Sequence, residues 1–320
     1  MKHLLYLKEL NQRTISKLLA KAETFLSSNN FPSPQDKNLQ GITLANLFLE
    51  PSTRTRSSFQ IAAKRLGADV LNIDEQHSSR TKGETIIDTI QTLEAMGVNY
   101  FVVRHKERGI LSKIVANVDS GSHVINGGES IDSHPTQGLL DLLTIKKHKK
   151  GFDQIKVAIV GDIKHSRVAR SLAEGLVTMA VKKLTLITPE EFEPDMKFYP
   201  NAEYNKNLEQ GLVNADVVVA LRVQRERIER LTETMSPDHY FEKYGLTTKR
   251  LEPCNDDVIV MHPGPVNRGV EISDEVADGA NSVIREQITN GIAIRMALLS
   301  MMQAEAVSYT HLTLPTKRIV

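Results

Sequence analysis

The sequence predicts an α/β protein of two doubly wound parallel-sheet domains joined by a helix, on three observations. Short apolar runs of strand length alternate with segments of helical period almost throughout the chain. Runs such as 157–160 and 217–221 are unbroken rather than alternating, as in strands covered on both faces of a parallel sheet. The length, 320 residues, is about twice that of a common domain.

The elements follow in order. Residues 4–25 read as one amphipathic helix, with Leu10, Ile15, Leu18, Leu19 and Phe25 on or near one face. A polar, proline-bearing loop spans 29–40, and 42–49 is a strand stopped by Pro51. Phe59, Ala62, Ala63 and Leu66 recur at helical spacing across 56–66, and Gly67 fits the position after a helix end. A strand at 70–73 precedes a helix at 85–96 through Ile86, Ile90 and Leu93, with Gly97 as its stop. Strands at 100–103 and 123–125 complete the first set.

The joining helix, 137–148, ends in a run of Lys146, Lys147, His148, Lys149 and Lys150, cations that complement the helix dipole. Gly151 opens a second set: strand 157–160, helix 168–179, strand 184–187, helix 208–213, strand 217–221 and strand 258–261. A long helix over 284–302 closes it. No solenoid repeat and no low-complexity segment interrupts the pattern.

Composition narrows the function. Lys plus Arg is 40 against 39 for Asp plus Glu, without the basic excess of a nucleic-acid binder. Trp is absent and aromatics are 5%, which argues against stacking platforms for single strands. Cys254 is the one cysteine, so no internal disulfide is expected and a reducing cytosol is the natural compartment. Lys2, Lys8, Glu9 and Arg13 interrupt any signal-peptide core, and no apolar run approaches the ~20 residues of a membrane span.

Ligands of such sheets bind at the carboxyl ends of the strands. The first strand ends in Glu50-Pro51-Ser52-Thr53-Arg54-Thr55-Arg56, and a helix follows at once. Hydroxyls, arginines and helix N-terminal N–H groups together suit a phosphate. A single N-cap would account for Ser52 or Thr53, not for the set. After the second strand comes a cationic segment containing Ser78 and Lys82, which a charged surface loop would equally resemble. The third strand puts Arg104 at its carboxyl end, as ligand or as surface arginine. His134 precedes Pro135 at the start of the joining helix, either facing the ligand or serving as a capping or core histidine.

The second set repeats the theme with Arg167, Arg222, Gln224 and Arg227, and with the loop His262-Pro263-Gly264-Pro265-Val266-Asn267-Arg268. Its prolines have no N–H, so the loop offers carbonyls to a ligand with N–H groups to donate. No G-x-G-x-x-G, G-x-x-x-x-G-K-[ST] or H-E-x-x-H occurs, so neither a nucleotide cofactor nor a metal is expected. Arg54, Arg104, Arg167 and Arg222, with Lys82, point to small polyanions and to direct group transfer between two bound substrates.

At this point Ser52-Thr53-Arg54-Thr55-Arg56 and His134-Pro135-Thr136-Gln137 resemble the two signatures of the aspartate/ornithine carbamoyltransferases, in the family's order. The resemblance runs from residue 4 to about residue 302. It implies carbamoyl phosphate as donor and an amino acid as acceptor, with no cofactor. The ornithine branch carries a cysteine-containing H-C-L-P loop where this chain has His262-Pro263-Gly264-Pro265. Arg222-Val223-Gln224 resembles the R-x-Q of the aspartate branch, so L-aspartate is the expected acceptor.

The resemblance assigns roles position by position. Ser52, Thr53, Arg54 and Thr55 bind the phosphate. Thr55, Arg104 and His134 polarise the carbonyl oxygen, while Gln137 and the carbonyls of Pro263 and Gly264 hold the carbamoyl nitrogen. Arg167, Arg222 and Gln224 bind the aspartate carboxylates. Ser78 and Lys82 reach a neighbouring subunit's site, Lys82 toward aspartate, which implies a homotrimer. Glu50 and Arg227 help to hold the domains closed. Regulatory or dihydroorotase chains are admitted as further partners.

In the family's terms residues 1–136 form the carbamoyl-phosphate domain, 137–150 the connecting helix and 151–288 the aspartate domain. Residues 289–306 form a C-terminal helix that packs back on the first domain. Residues 307–320, VSYTHLTLPTKRIV, do not resemble the family's C-terminus and break the helical pattern that reaches Ala306. They are expected to be a non-native or disordered extension.

Three rivals weigh less. An acceptor other than aspartate would be cationic or acylated, and a cationic one would not want Arg222. Arg54, Arg104 and His134 argue against a catalytically dead scaffold. Charge and aromatic content argue against nucleic acid.

Overall fold

Parallel strands buried on both faces need helices on both faces, and the chain meets that need twice, in a four-stranded and a five-stranded sheet. The computed structural model describes residues 1–26, 32–33, 37–74, 83–223 and 236–313. Two units result: Met1–Tyr6 with Thr14–Ser130 and Gly291–Val320, and Leu7–Arg13 with Ile131–Asn290.

In the first unit β1 (Thr43–Phe48), β2 (Asp69–Asp74), β3 (Val98–His105) and β4 (His123–Glu129) lie in the order β2-β1-β3-β4, every pair parallel. Its helices are α1 (Gln12–Phe25), α2 (Thr53–Arg65), α3 (Ile86–Ala95) and α4 (Ile110–Val115). Ala45, Leu47, Phe101, Val103 and Val124 line one face of the sheet, packed with Ile86, Ile90 and Leu93 of α3 and with Ile110, Leu111 and Ile114 of α4. Each of these side chains larger than alanine contributes ~1.5–3 kcal/mol by leaving water. Gly67, at φ 91°, ends α2 in the left-handed region, as its position after Leu66 predicts.

The N-terminus departs from the sequence expectation. Residues 4–25 are not one helix: α1 begins at Gln12, and Leu7–Glu9 is a single 3₁₀ turn. Leu4 extends the sheet instead, its N–H donating to Val124 O and its carbonyl accepting from Asn126 N, both at 2.9 Å. Leu4, Leu7 and Leu10 are all buried, and that spacing of three imitates a helical stripe.

The long helix Ile284–Thr313 continues past Ala306, where the sequence pattern predicts its end. Propagating a helix adds a hydrogen bond per residue, and β-branched residues subtract only tenths of a kcal/mol. Residues 314–320 lie outside the described residues. From Gly291 on the helix belongs to the first unit. There Arg295 lies 5.0 Å from the Phe59 ring centre, Tyr100 Oη donates to Gln303 Oε1 at 3.0 Å, and Asn38 Nδ2 donates to Ser300 Oγ at 2.7 Å.

The second unit orders β5 (Lys156–Val160), β6 (Lys183–Ile187), β7 (Ala202–Asn205), β8 (Val217–Ala220) and β9 (Ile259–Met261) as β7-β6-β5-β8-β9, again all parallel. The edge strand β7 is polar and carries no apolar run to announce it. With α5 (Pro135–His148), α6 (Arg167–Thr178) and α7 (Leu208–Leu212) come further helices at Pro237–Tyr244 and Asp274–Asp278. Gly138 lets α5 and α6 approach: a Cβ there would stand 2.9 Å from Ser171 O and 2.8 Å from Leu7 Cδ2. No helix of the described residues is long and apolar enough to cross a membrane.

Candidate active site

Both sheets reverse their winding direction once. In the first unit the chain passes from β1 to β2 on one side and then to β3 on the other, so β1 and β3 flank the switch point. In the second, β5 and β8 do. A doubly wound sheet opens a crevice for ligands at that point, at the carboxyl ends of the strands. Arg54 and Arg104 follow or end the first pair of strands, and Arg167 and Arg222 follow the second.

At the β1–α2 junction Ser52 occupies the N-cap position of α2, but its side chain makes no capping hydrogen bond. The N-cap alternative therefore does not account for this serine. Thr53, Arg54 and Thr55 form the first helical turn, which contains no acidic residue. Its N–H groups point out along the axis at the positive end of the dipole. Thr53 and Arg54 are exposed and Thr55 is buried.

Arg104 is not a surface arginine, since its side chain is 13% exposed. Its Nε lies 3.3 Å from Glu50 Oε2, and its Nη1 donates to Gly127 O at 3.4 Å. Glu50, expected to act in domain closure, thus stands beside Arg104 within its own unit.

In the second unit His134 is the N-cap residue of α5, with Pro135 at the first helical position. Its side chain does not cap, and the residue is 4% exposed. Its backbone N–H donates to Ser171 Oγ of α6 at 2.8 Å. Three residues on, Gln137 Nε2 donates to Asp141 Oδ1 at 3.0 Å.

Arg167 opens α6, whose N-cap Ser166 accepts from Ala169 N at 3.1 Å. Gly161, at φ 133° just after β5, holds the turn that precedes it. A Cβ at Gly161 would lie 2.8 Å from Leu221 O, so only glycine lets the ends of β5 and β8 meet this closely. Arg222 follows Leu221, and its Nε is buried without a hydrogen-bond partner among the described residues.

The loop after β9 has its donors turned inward. Gly264 N–H donates to His262 Nδ1 at 2.7 Å, which leaves the ring proton on Nε2, 3.1 Å from Glu271 Oε1. Asn267 N–H also goes to Glu271 Oε1, at 2.6 Å, and Asn267 Nδ2 to Val223 O, at 3.0 Å. Pro263 and Pro265 have no N–H and His262 N–H donates to Gln287 Oε1, so from His262 to Pro265 the backbone polarity left is that of the carbonyls.

Ser78, Lys82, Gln224 and Arg227 lie outside the described residues. Among those described, no three His, Cys, Asp or Glu side chains stand close enough to hold a metal ion. Asp141, Ser171, Glu271 and Gln287, which hydrogen-bond to candidate residues and to the loop after β9, are absent from the sequence expectations. Only Asp141 left a signal, as the lone carboxylate in the apolar run of α5.

The chain is similar to known proteins along most of its length. The family description "Aspartate/ornithine carbamoyltransferase, carbamoyl-P binding domain" matches residues 2–147, and the "Asp/Orn binding domain" of the same family matches 153–302. The aspartate carbamoyltransferase catalytic subunit of Coxiella burnetii is 46% identical over 299 residues, covering 93% of this chain and 95% of that protein. Ornithine carbamoyltransferase from Pyrococcus furiosus superposes with a TM-score of 0.84 at 28% identity, over 95% of this chain and 97% of that one. Aspartate transcarbamoylase from Trypanosoma cruzi, in complex with carbamoyl phosphate and aspartate, gives 0.83 at 27% identity, over 93% and 96%.

Proposed function

The chain belongs to the aspartate/ornithine carbamoyltransferase family, and from that premise we propose how it works. It is an enzyme that transfers the carbamoyl group of carbamoyl phosphate to the amine of L-aspartate. The products are N-carbamoyl-L-aspartate and phosphate, in de novo pyrimidine biosynthesis. The observation that carries the acceptor choice is the identity with an aspartate enzyme across nearly the whole chain. Arg222 beside β8 supports it, being a cation suited to a dicarboxylic acceptor and unsuited to ornithine.

The first unit is the phosphate holder in this reading. Ser52, Thr53, Arg54 and Thr55 offer hydroxyls, helix N–H groups and a guanidinium to the phosphate oxygens. Arg104, Thr55 and His134 meet the carbonyl oxygen. Gln137 and the carbonyls of Pro263 and Gly264 take the N–H groups of the carbamoyl amine. Arg167, Arg222 and Gln224 bind the aspartate carboxylates.

The aspartate amine attacks the carbonyl carbon, and negative charge gathers on its oxygen, where fixed donors act most strongly. The intermediate collapses with cleavage of the carbon–oxygen bond to phosphate, and the amine proton leaves with the departing phosphate. Holding two polyanions together is an entropic and electrostatic cost that the arginines offset.

Supplying carbamoyl phosphate with either aspartate or ornithine and assaying the carbamoylated product tests the assignment. Carbamoyl-ornithine as the main product would overturn it.

The active form is a cytoplasmic homotrimer in this reading, with Ser78 and Lys82 serving a neighbour's site and regulatory or dihydroorotase chains as further partners. Its support is the family resemblance and the "catalytic subunit" in the relative's name. Lys82→Ala and Arg54→Ala chains, each inactive, would regain up to about one-third of normal turnover when refolded together, the share of intact sites in a mixed closed ring. No recovery in confirmed trimers would place Lys82 in its own chain's service.

A further inference from the structure

The side chain of Gln137 is held from behind by a buried network that leaves its orientation no freedom. The chain of donors begins at a group that cannot be reversed, the backbone N–H of His262, which donates to Gln287 Oε1 at 2.9 Å. Gln287 must then turn its Nε2 the other way, and it donates to Asp141 Oδ1 at 2.8 Å. That same oxygen receives Gln137 Nε2 at 3.0 Å. Asp141 is fully buried and Gln287 is 3% exposed, so water offers no alternative partner. A carboxylate oxygen that accepts two amide donors fixes both carboxamides.

We infer that Asp141 is a positioning residue: by holding Gln137 Nε2, it turns Gln137 Oε1 away as a fixed acceptor and so makes the site select a carbonyl substrate that bears N–H. This rests on the reading that Gln137 meets the carbamoyl nitrogen. The network also ties that acceptor to the other two. The N–H that anchors Gln287 belongs to His262, whose ring holds Gly264, so Asp141 and the His262 loop set the three acceptors as one group. A methyl group in place of the amine would leave those acceptors facing carbon, and a site built for N–H discriminates strongly against such an analogue.

Acetyl phosphate is the probe, because it keeps the phosphate and the carbonyl and replaces only the amine. Equilibrium binding of carbamoyl phosphate and acetyl phosphate to the full chain gives a selectivity ratio. In Asp141→Leu, which keeps the branched shape and loses the acceptor, the ratio should fall about 10-fold, while acetyl phosphate affinity moves less than about 2-fold. Asp141→Asn keeps an oxygen that can accept both amides and should hold the ratio within about 2-fold of the unaltered chain.

Equal loss of both ligands in Asp141→Leu would mean a structural role only and would overturn the inference. So would a 10-fold loss of the ratio in Asp141→Asn, which would assign the effect to charge rather than to geometry. Should Asp141→Leu show no cooperative melting, Asp141→Ala is read by the same ratio and the Asn variant still decides. Failure of the unaltered chain to bind carbamoyl phosphate would instead sink the function proposed above, a result distinct from any of these.

Discussion

The two units present opposite hydrogen-bonding faces with the same architecture. At the switch point of the first, α2 starts with hydroxyls and arginines and no carboxylate, so donors dominate. In the second, the loop after β9 has spent Gly264 N–H on His262 and Asn267 N–H on Glu271, and its prolines have none, so acceptors dominate. The difference teaches that backbone accounting, more than net charge, decides what a strand-end loop can bind. A chain with 40 cationic and 39 anionic side chains still builds a strand end rich in donors in one unit and one rich in acceptors in the other.

The largest expected effect strikes the donor side. Arg54→Ala should lower turnover by ~10²-fold or more, because the lost charge acts where it builds on the leaving group. Near-normal turnover by a folded variant would erase the contrast between the units.

Next comes the acceptor amino acid. Arg222→Ala should weaken aspartate by roughly 10- to 100-fold, the value of a charge-assisted hydrogen bond, and leave carbamoyl phosphate nearly unchanged. Calorimetric titration of each ligand separates the two, and equal losses would remove the division of labour.

Gly161→Ala sharpens the comparison through stability. The strained φ and the 2.8 Å approach to Leu221 O should cost ~1–3 kcal/mol in a denaturant melt. Because Leu221 precedes Arg222, aspartate affinity should fall as well. A variant of unaltered stability would show that the close approach of the two strand ends does not depend on this glycine.

The smallest effect lies in the first unit and depends on pH. Burial, then the nearby charges of Lys2 and His123, bring His3 down to about 4 from its ordinary 6.5, and its Nδ1 accepts from Val124 N at 3.1 Å. The folded chain refuses a proton that the unfolded chain takes up. The contribution is therefore whole above pH 6.5 and lost as pH falls from 6.5 toward 4. Urea midpoints across that window should decline less steeply for His3→Gln, and identical slopes would count against a neutral His3.

Much of this was legible in the sequence because parallel strands announce themselves. Residues 157–160 and 217–221 are apolar without interruption, 42–49 is apolar but for Thr43 and Asn46, and β5, β8 and β1 are found there. The polar edge strand β7 had no such run, and the Leu4, Leu7, Leu10 spacing imitated a helix. The strand-end arginines could be read directly. That they stand at the switch points could not, because strand order in a sheet leaves no periodic trace. Asp141 was missed for a plainer reason: its partner Gln287 is 146 positions away.

The interleaving of the units has a consequence for the order in which the protein is made. The second unit ends at Asn290, while the first waits for the segment that begins at Gly291. Its sheet strands are complete at Glu129, yet Phe59 lacks Arg295 and Tyr100 lacks Gln303 until the end of synthesis. A ribosome needs on the order of 10 s to add the intervening residues. For that interval the groups that Arg295 and Gln303 meet stay open to solvent, so the unit begun first is the one completed last.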